Sequence, residues 1–451
     1  LDEKKITTPQ SKVIQTKCSP SADIYQRACK VMPGGVSRNT ILRLPHPAYA
    51  ERGEGCYVTD IEGVKRIDFA NNMAALIHGH AHPVIIAALT EQLQKGTAFA
   101  MATEVEVNYA ELMCDRNVGF DKIRFCNSGT EAVMTCLKAA RAYTGRPKIA
   151  KVEGSYHGLY DFAEVSQTAD PSNWGDAREP ASVPVAHGTP SSVLNDVIVI
   201  PFNDPERAIA ILDKNADVLA CVLVDLMPHR IGLLPATSEF VSALRKWTHD
   251  HNVLLVCDEV ITFRSSYGGA QAHYDMTPDL TALGKIIGGG FPVGALAGRK
   301  DVMDVMNPLE GNLLFPQSGT FSANPMTMVA GYTAMRMFDD TAIKKVNQLA
   351  EQARKQITEA IQIAGIPACV TGAGSMFRIH LKPEVSGGYR SVYVNPDEAK
   401  LIKVLIDHLF DNRIMMINTC SAAVSTVMAK QEIDTLSEVM LSGFRKLKDL
   451  L

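Results

Sequence analysis

The sequence predicts an α/β fold, with a mostly parallel, doubly wound sheet flanked by helices and a smaller α+β lobe after it. Two patterns carry this. Strand candidates at 148–152, 197–202, 218–227, 253–257 and 294–298, most of them apolar, are separated by amphipathic helical stretches such as 238–250, as expected of parallel strands buried on both faces by crossover helices. From about Pro325 helical periodicity takes over, at 342–364, 397–410 and 433–451, with the short strand candidates MFRIHL and RIMMIN between.

Composition narrows the class. At 451 residues, 46% hydrophobic and 21% charged, the chain can bury a large core and hold more than one lobe. A net charge of −4 offers no basic footprint for nucleic acid. Apolar runs such as VLACVLV at 218–224 fall far short of the ~20 residues a membrane helix needs. The opening LDEKKITTPQSK has no apolar signal core, and the ten cysteines are scattered singly. A cytoplasmic protein with reduced thiols is expected.

In chain order, residues 1 to about 20 are polar, and 23–31 suit a short amphipathic helix that stops at Pro33, Gly34 and Gly35. Arg38 follows on that loop. Residues 47–70 alternate apolar and polar around two turn signals, which predicts a meander of short antiparallel strands. His78, His80 and His82 would share one side of a strand and suggest a metal, but Gly79 and Pro83 make this a turn before a helix starting near Val84. Loop histidines hydrogen-bonded to backbone are expected instead.

In IRFCNSGTEAVMTCL a strand ends at Phe125, a turn follows, and a helix runs from Thr130 to about Tyr143. Free N–H groups, hydroxyls and the positive end of the helix dipole then meet at Ser128, Gly129 and Thr130, a phosphate cradle. N-capping by Ser128 or Thr130 explains the same residues without a ligand. Tyr156 and His157 lie on the loop after the strand 148–152, where either ring could lie flat on a cofactor. Residues 163–196 lack periodicity; a loop of that length serves as a lid, a binding loop or a subunit contact.

The strand Val253 to Cys257 ends in Asp258 and Glu259, at the end of the sheet where open α/β folds bind ligands. Lys285 follows the run LTALG and precedes Gly288, Gly289 and Gly290. An acid closing a buried strand and a lysine among glycines are the two groups a pyridoxal phosphate site needs. A nucleotide hydrolase would need a GxxxxGK[ST] loop, yet Gly284 and Lys285 are followed by Ile286, and no GxGxxG opens a helix.

The motifs NSGTEA, SYHG, CDEV, GGAQAHYDMTPDLTALGKIIGGGFPVGALAGR and SGTFSANP, in that order, resemble class III pyridoxal-phosphate aminotransferases, in the branch that includes glutamate-1-semialdehyde aminomutase. The resemblance runs from about Met32 to Thr327. It implies a fold-type I transferase, with residues 68–325 forming a large cofactor domain around a seven-stranded-type sheet. Residues 1–67 and 326–451 would together form a small α+β domain. It further implies that Lys285 bonds the aldehyde of pyridoxal 5′-phosphate and then moves the substrate proton, and that Asp258 pairs with the pyridine nitrogen. Ser128, Gly129 and Thr130 would bind the phosphate, with Tyr156 and Val260 on opposite ring faces. Thr320 matches a threonine that completes the phosphate site from a neighbouring subunit, which implies a homodimer with shared sites.

Departures from the aminomutase pattern bear on substrate. Met73 stands where those enzymes carry a tryptophan, Cys420 corresponds to an acidic residue, and DEVITFRSS is one glycine shorter. Asp225 stands where the family has glutamate followed by proline. Arg38 matches the position at which relatives bind a substrate carboxylate, while NTCSAAVST contains no second arginine for an α-carboxylate. The expected reaction is transfer from a β- or other non-α amino acid, or an amine, to a keto acid, with Arg38 and Met73 as substrate contacts. An intramolecular aminomutase and a non-catalytic cofactor-binding relative are the alternatives.

Overall fold

The computed structural model describes residues 19–309, 311, 313–448 and 450; the polar lead at 1–18 lies outside the described residues. The chain divides into two compact units, one of residues up to 52 with 58–65, the other of 53–57 with 66–451.

In the first unit the expected helix spans Pro20–Ala28. It starts earlier than its apolar period suggests because Ser19 caps it, accepting from Ala22 N at 3.3 Å, and Pro20 suits the first helical position. Arg38 is exposed in extended backbone, immediately before a 3₁₀ turn at Asn39–Ile41.

The second unit is organised by a seven-stranded sheet: β1 (Lys122–Cys126), β2 (Lys148–Val152), β3 (Val197–Ile200), β4 (Leu219–Val224), β5 (Leu254–Asp258), β6 (Leu280–Gly284) and β7 (Gly294–Gly298), in the order β1-β7-β6-β5-β4-β2-β3. Neighbours from β6 to β3 run parallel, and β7 is antiparallel to both β6 and β1. Every residue of β4, β5, β6 and β7 is buried, which suits their largely apolar sequences. The parallel order sets the C-terminal ends of β4, β5 and β6 side by side.

Between 163 and 196 regular structure is limited to the end of a short helix, a two-residue hairpin at Gly175–Asp176 and Glu179–Pro180, and one turn of helix at Ser191–Asn195. After the helix Pro325–Met337, the long helices Asp340–Ala364, Pro396–Asp411 and Lys430–Lys448 cover a three-stranded antiparallel sheet of β8 (Cys369–Thr371), β9 (Met376–His380) and β10 (Ser421–Ala423). Phe377 and Ile379 point from β9 into a cluster with Val346, Ile357, Leu405, Leu436 and Phe444; each such side chain, fully buried, contributes about 1.5–3 kcal/mol. RIMMIN forms only the two-residue strand Ile414–Met415, which pairs in parallel with Ile67 and Asp68.

One segment departs from ordinary backbone. Asn71, Asn72, Met73 and Ala74 all have positive φ, from 45° to 64°, and make a single left-handed turn. Each such L-residue costs roughly 1–2 kcal/mol, and the turn is held from outside. Asp68 Oδ1 accepts from Ala70 N and Asn71 N at 2.9 and 2.8 Å, Asn71 Nδ2 donates to Ala423 O at 2.5 Å, and Arg264 Nη1 donates to Ala74 O at 3.0 Å. No helix among the described residues is long and apolar enough to cross a membrane, and the cysteines there are unpaired.

Candidate active site

Asp258 closes β5 and Lys285 follows the last residue of the adjacent parallel strand β6, with Asp258 in register with Ala282. Both groups therefore emerge at the same edge of the sheet. Asp258 is buried, accepts from Val260 N at 2.9 Å through Oδ1 and meets His157 Nδ1 at 2.7 Å through Oδ2. Burial lowers the His157 imidazole pKa, and the hydrogen bond to Asp258 opposes that shift. His157 Nε2 is buried without a partner.

Glu259, the other acid of the pair, is turned into the protein. It accepts from Thr262 Oγ1 at 2.6 Å, Ala270 N at 3.0 Å and Gln271 N at 2.8 Å, so it anchors the loop after β5. Lys285 is half-buried with a φ of 49°, and its amine makes no hydrogen bond or ion pair among the described residues. Burial lowers its pKa, against the pull of Asp258 and Asp225, so a larger share is the free base that can attack an aldehyde. Asp225, one residue past β4, is buried next to this pair and accepts from Met227 N at 2.9 Å. Burial and the Asp258 charge hold its carboxyl well above the usual range.

The turn expected to cradle a phosphate stands at the N-terminus of the helix Gly129–Thr144, and Ser128 caps that helix, with Oγ accepting from Glu131 N at 3.1 Å. The first-turn N–H groups of Gly129 and Thr130 have no acceptor within the helix. Gly129 also makes room, since a Cβ there would sit 2.9 Å from Val260, and at Gly284 a Cβ would sit 3.2 Å from the same side chain. The loop of Tyr156 and His157 reaches the cradle because Gly158, at a φ of 94°, lies so close to Thr130 that a Cβ would come within 2.8 Å of its Cα. Buried Lys151 pins that loop by donating to Ser155 O at 3.1 Å and Val165 O at 2.6 Å. Tyr156 leaves 43% of its surface exposed, with the Arg230 guanidinium 5.7 Å from its ring.

Seven of the expected cofactor residues thus share one end of the sheet around Val260 and Asp258, with Lys285 beside them. Thr320 is exposed, next to Gly319, where a Cβ would lie 3.4 Å from Asn127 Nδ2. Met73 sits on the left-handed turn, whose Ala74 packs with Met227, Leu233 and Met376. Arg38 belongs to the other compact unit. Two of the three histidines have separate partners: His78 bridges Thr426 Oγ1 at 2.8 Å and Ala334 O at 2.9 Å, and His80 pairs with Asp68 at 2.8 Å, whereas His82 Nδ1 is buried without a hydrogen-bond partner among the described residues. Sequence reasoning passed over Arg264, which is fully buried and donates to Ser375 Oγ at 2.7 Å, to Ala74 O and to Val424 O. It also passed over Arg378 on β9, although one charge inside the apolar MFRIH was a visible signal.

Pyridoxal 5′-phosphate fits these residues. The orphaned His157 Nε2, the amine of Lys285, and a cradle that a side chain at Gly129 or Gly284 would fill are the features a flat phosphorylated aldehyde requires. The sheet order and the acid–lysine pair define a fold-type I pyridoxal-phosphate transferase. The chain belongs to the class III aminotransferases, whose family model matches residues 42–395, and pyridoxal 5′-phosphate is the cofactor. It is 36% identical to a glutamate-1-semialdehyde 2,1-aminomutase of Methanothermobacter thermautotrophicus, over 82% of this chain and 85% of that one. Among solved structures, an omega-transaminase from Sphaerobacter thermophilus superposes with a TM-score of 0.94 at 43% identity, covering 97% of this chain and all of that one. A β-phenylalanine aminotransferase from Variovorax paradoxus gives 0.86 at 30% identity, with 96% and 95% covered.

Proposed function

We propose that the enzyme moves an amino group from a non-α amino acid, such as a β-amino acid, or from an amine, to a keto acid in two half-reactions. The observation that carries this is the 43% identity, over almost the whole chain, to an omega-transaminase. The likeness to a β-phenylalanine aminotransferase supports it, as do Met73 and Cys420 in place of the aminomutase residues. The bound cofactor supplies an electron sink for the substrate carbon that loses its proton. Lys285 would hold the cofactor through its aldehyde, and its Nζ would carry the substrate proton. Asp258, oriented by His157, holds a proton at the pyridine nitrogen. Ser128, Gly129 and Thr130 bind the phosphate, Tyr156 and Val260 enclose the ring, and Arg38 meets the carboxylate of a carboxylated donor.

A second copy of the chain would complete the site with Thr320 of the partner subunit. Exposed Phe99, Met101, Leu309, Leu314 and Phe321 support such an interface. Light scattering should then give twice the chain mass, and a monomer at working concentration would contradict it. The aminomutase reading is favoured by the 36% identical relative of that name. The two differ in stoichiometry. A transaminase given only a donor stops after one equivalent per site and resumes when a keto acid is added, whereas an aminomutase turns over a single substrate without one.

A further inference from the structure

Alternation along β9 sends Phe377 and Ile379 into the helical core and leaves Met376, Arg378 and His380 on the opposite face. That face looks onto the loop after β4: Met376 packs with Met227 and Leu233, and His380 Nε2 lies 3.3 Å from Gly232 O. The loop begins at Asp225, at the sheet edge shared with Asp258. Arg378 is only 5% exposed, yet among the described residues its guanidinium makes a single hydrogen bond, from Nη1 to His229 O at 3.2 Å. Nε is buried with no partner, Nη2 makes no hydrogen bond, and the residue has no ion pair among the described residues.

The contrast with Arg264 is informative. That guanidinium is also buried without a counter-ion, but Nε, Nη1 and Nη2 each find an acceptor. Arg378 instead keeps open its Nε–Nη2 edge, the edge that engages a carboxylate with two parallel hydrogen bonds. Its surroundings add positive charge. Burial, and after it the charges of Arg378, Lys285 and Arg230, disfavour protonation of the His229 imidazole, which is hydrogen-bonded to Thr419 Oγ1 at 3.2 Å. A buried charge with an open edge and like-charged neighbours is costly unless an anion joins it.

We propose that Arg378 is a specificity-determining residue that binds the carboxylate of the keto-acid acceptor. Residues 417–426 contain no arginine, but β9 and β10 pair with Arg378 opposite Ser421, so the neighbouring strand supplies the cation that segment lacks. This rests on the transaminase reading, because an aminomutase needs no acceptor.

The test starts from holoenzyme converted to its amine form with an uncharged amine, then mixed with pyruvate or with butanal, an acceptor without a carboxylate. In Arg378→Gln the preference for pyruvate over butanal, as a ratio of kcat/KM, should fall at least ~30-fold. Arg378→Lys should recover part of that ratio, and both variants should keep the visible band of the loaded cofactor. An unchanged ratio, or equal loss with both acceptors as expected of a merely structural arginine, overturns the proposal. Calorimetric titration of the resting holoenzyme with succinate tests the site without turnover: affinity at least tenfold weaker in Arg378→Gln supports it, and equal affinity overturns it. Failure of the wild-type amine form to react with any keto acid would defeat the transaminase reading while leaving the succinate result to judge Arg378.

Discussion

His157 Nδ1 lies 2.7 Å from Asp258 Oδ2, and both side chains are almost fully buried. The pair fixes which carboxylate oxygen is engaged and leaves the other bonded to Val260 N, so Asp258 has one orientation at the sheet edge. Asp258→Asn removes the charge proposed to hold a proton at the pyridine nitrogen. A close ion pair of this kind is worth about 4 kcal/mol, or roughly 10³-fold in kcat/KM. His157→Phe should cost about 10–100-fold, the equivalent of one hydrogen bond to a charged group. Steady-state kinetics on variants with full cofactor content checks both, and a smaller loss for Asp258→Asn than for His157→Phe would reverse the assigned order.

Arg38→Ala should raise KM for a β-amino acid about tenfold or more, the equivalent of one charged hydrogen bond, and leave an uncharged amine nearly unaffected. Equal loss with both donors would remove Arg38 from carboxylate recognition.

Arg264→Leu leaves Ala74 O and Val424 O without their donor. A loss of about 2–5 kcal/mol in stability is expected, since each stranded buried acceptor costs 1–3 kcal/mol. Because Ala74 closes the left-handed turn, the same variant should alter donor preference through Met73. Urea unfolding and a donor panel check the two effects, and an unchanged midpoint would contradict the first.

Burial lowers the pKa of His78 to about 4 and that of His380 to about 3. Both stay neutral in the fold over a range where the unfolded chain, with a histidine pKa near 6.5, takes up protons. Stability is therefore present above about pH 6.5 and is lost as pH falls. Between pH 7 and 5 the loss is roughly 2 kcal/mol for each. The urea midpoint should drop over that interval, and His78→Gln should flatten the drop; an equally steep drop in His78→Gln would contradict the assignment for His78.

The candidate site was legible where its residues are local in sequence. Ser128, Gly129 and Thr130 lie in one turn, Asp258 ends an apolar strand and Lys285 follows another, so period and punctuation picked them out as candidates. Arg264 and Arg378 were not found because their meaning depends on partners more than a hundred residues away, at Ser375 and at His229. The left-handed turn at 71–74 was hidden for another reason. The two asparagines of NNMA tolerate that backbone, but Met73 and Ala74 do not favour it, and the hydrogen bonds that hold the turn, to Asp68 and Ala423 and from Arg264, appear only after folding. The antiparallel β7 was likewise silent, because GALAG carries no mark of direction. Its glycines are explained by fit: a Cβ at Gly294 would collide with the Ser128 carbonyl.

The role of Lys285 is tested most directly by borohydride reduction of the loaded enzyme followed by peptide mass spectrometry. Reduction makes the lysine–cofactor bond permanent, so the account predicts the added cofactor mass on the peptide containing Lys285, and its absence in Lys285→Ala, which should also have no turnover. Cofactor mass on a different lysine, or full activity in Lys285→Ala, would contradict it.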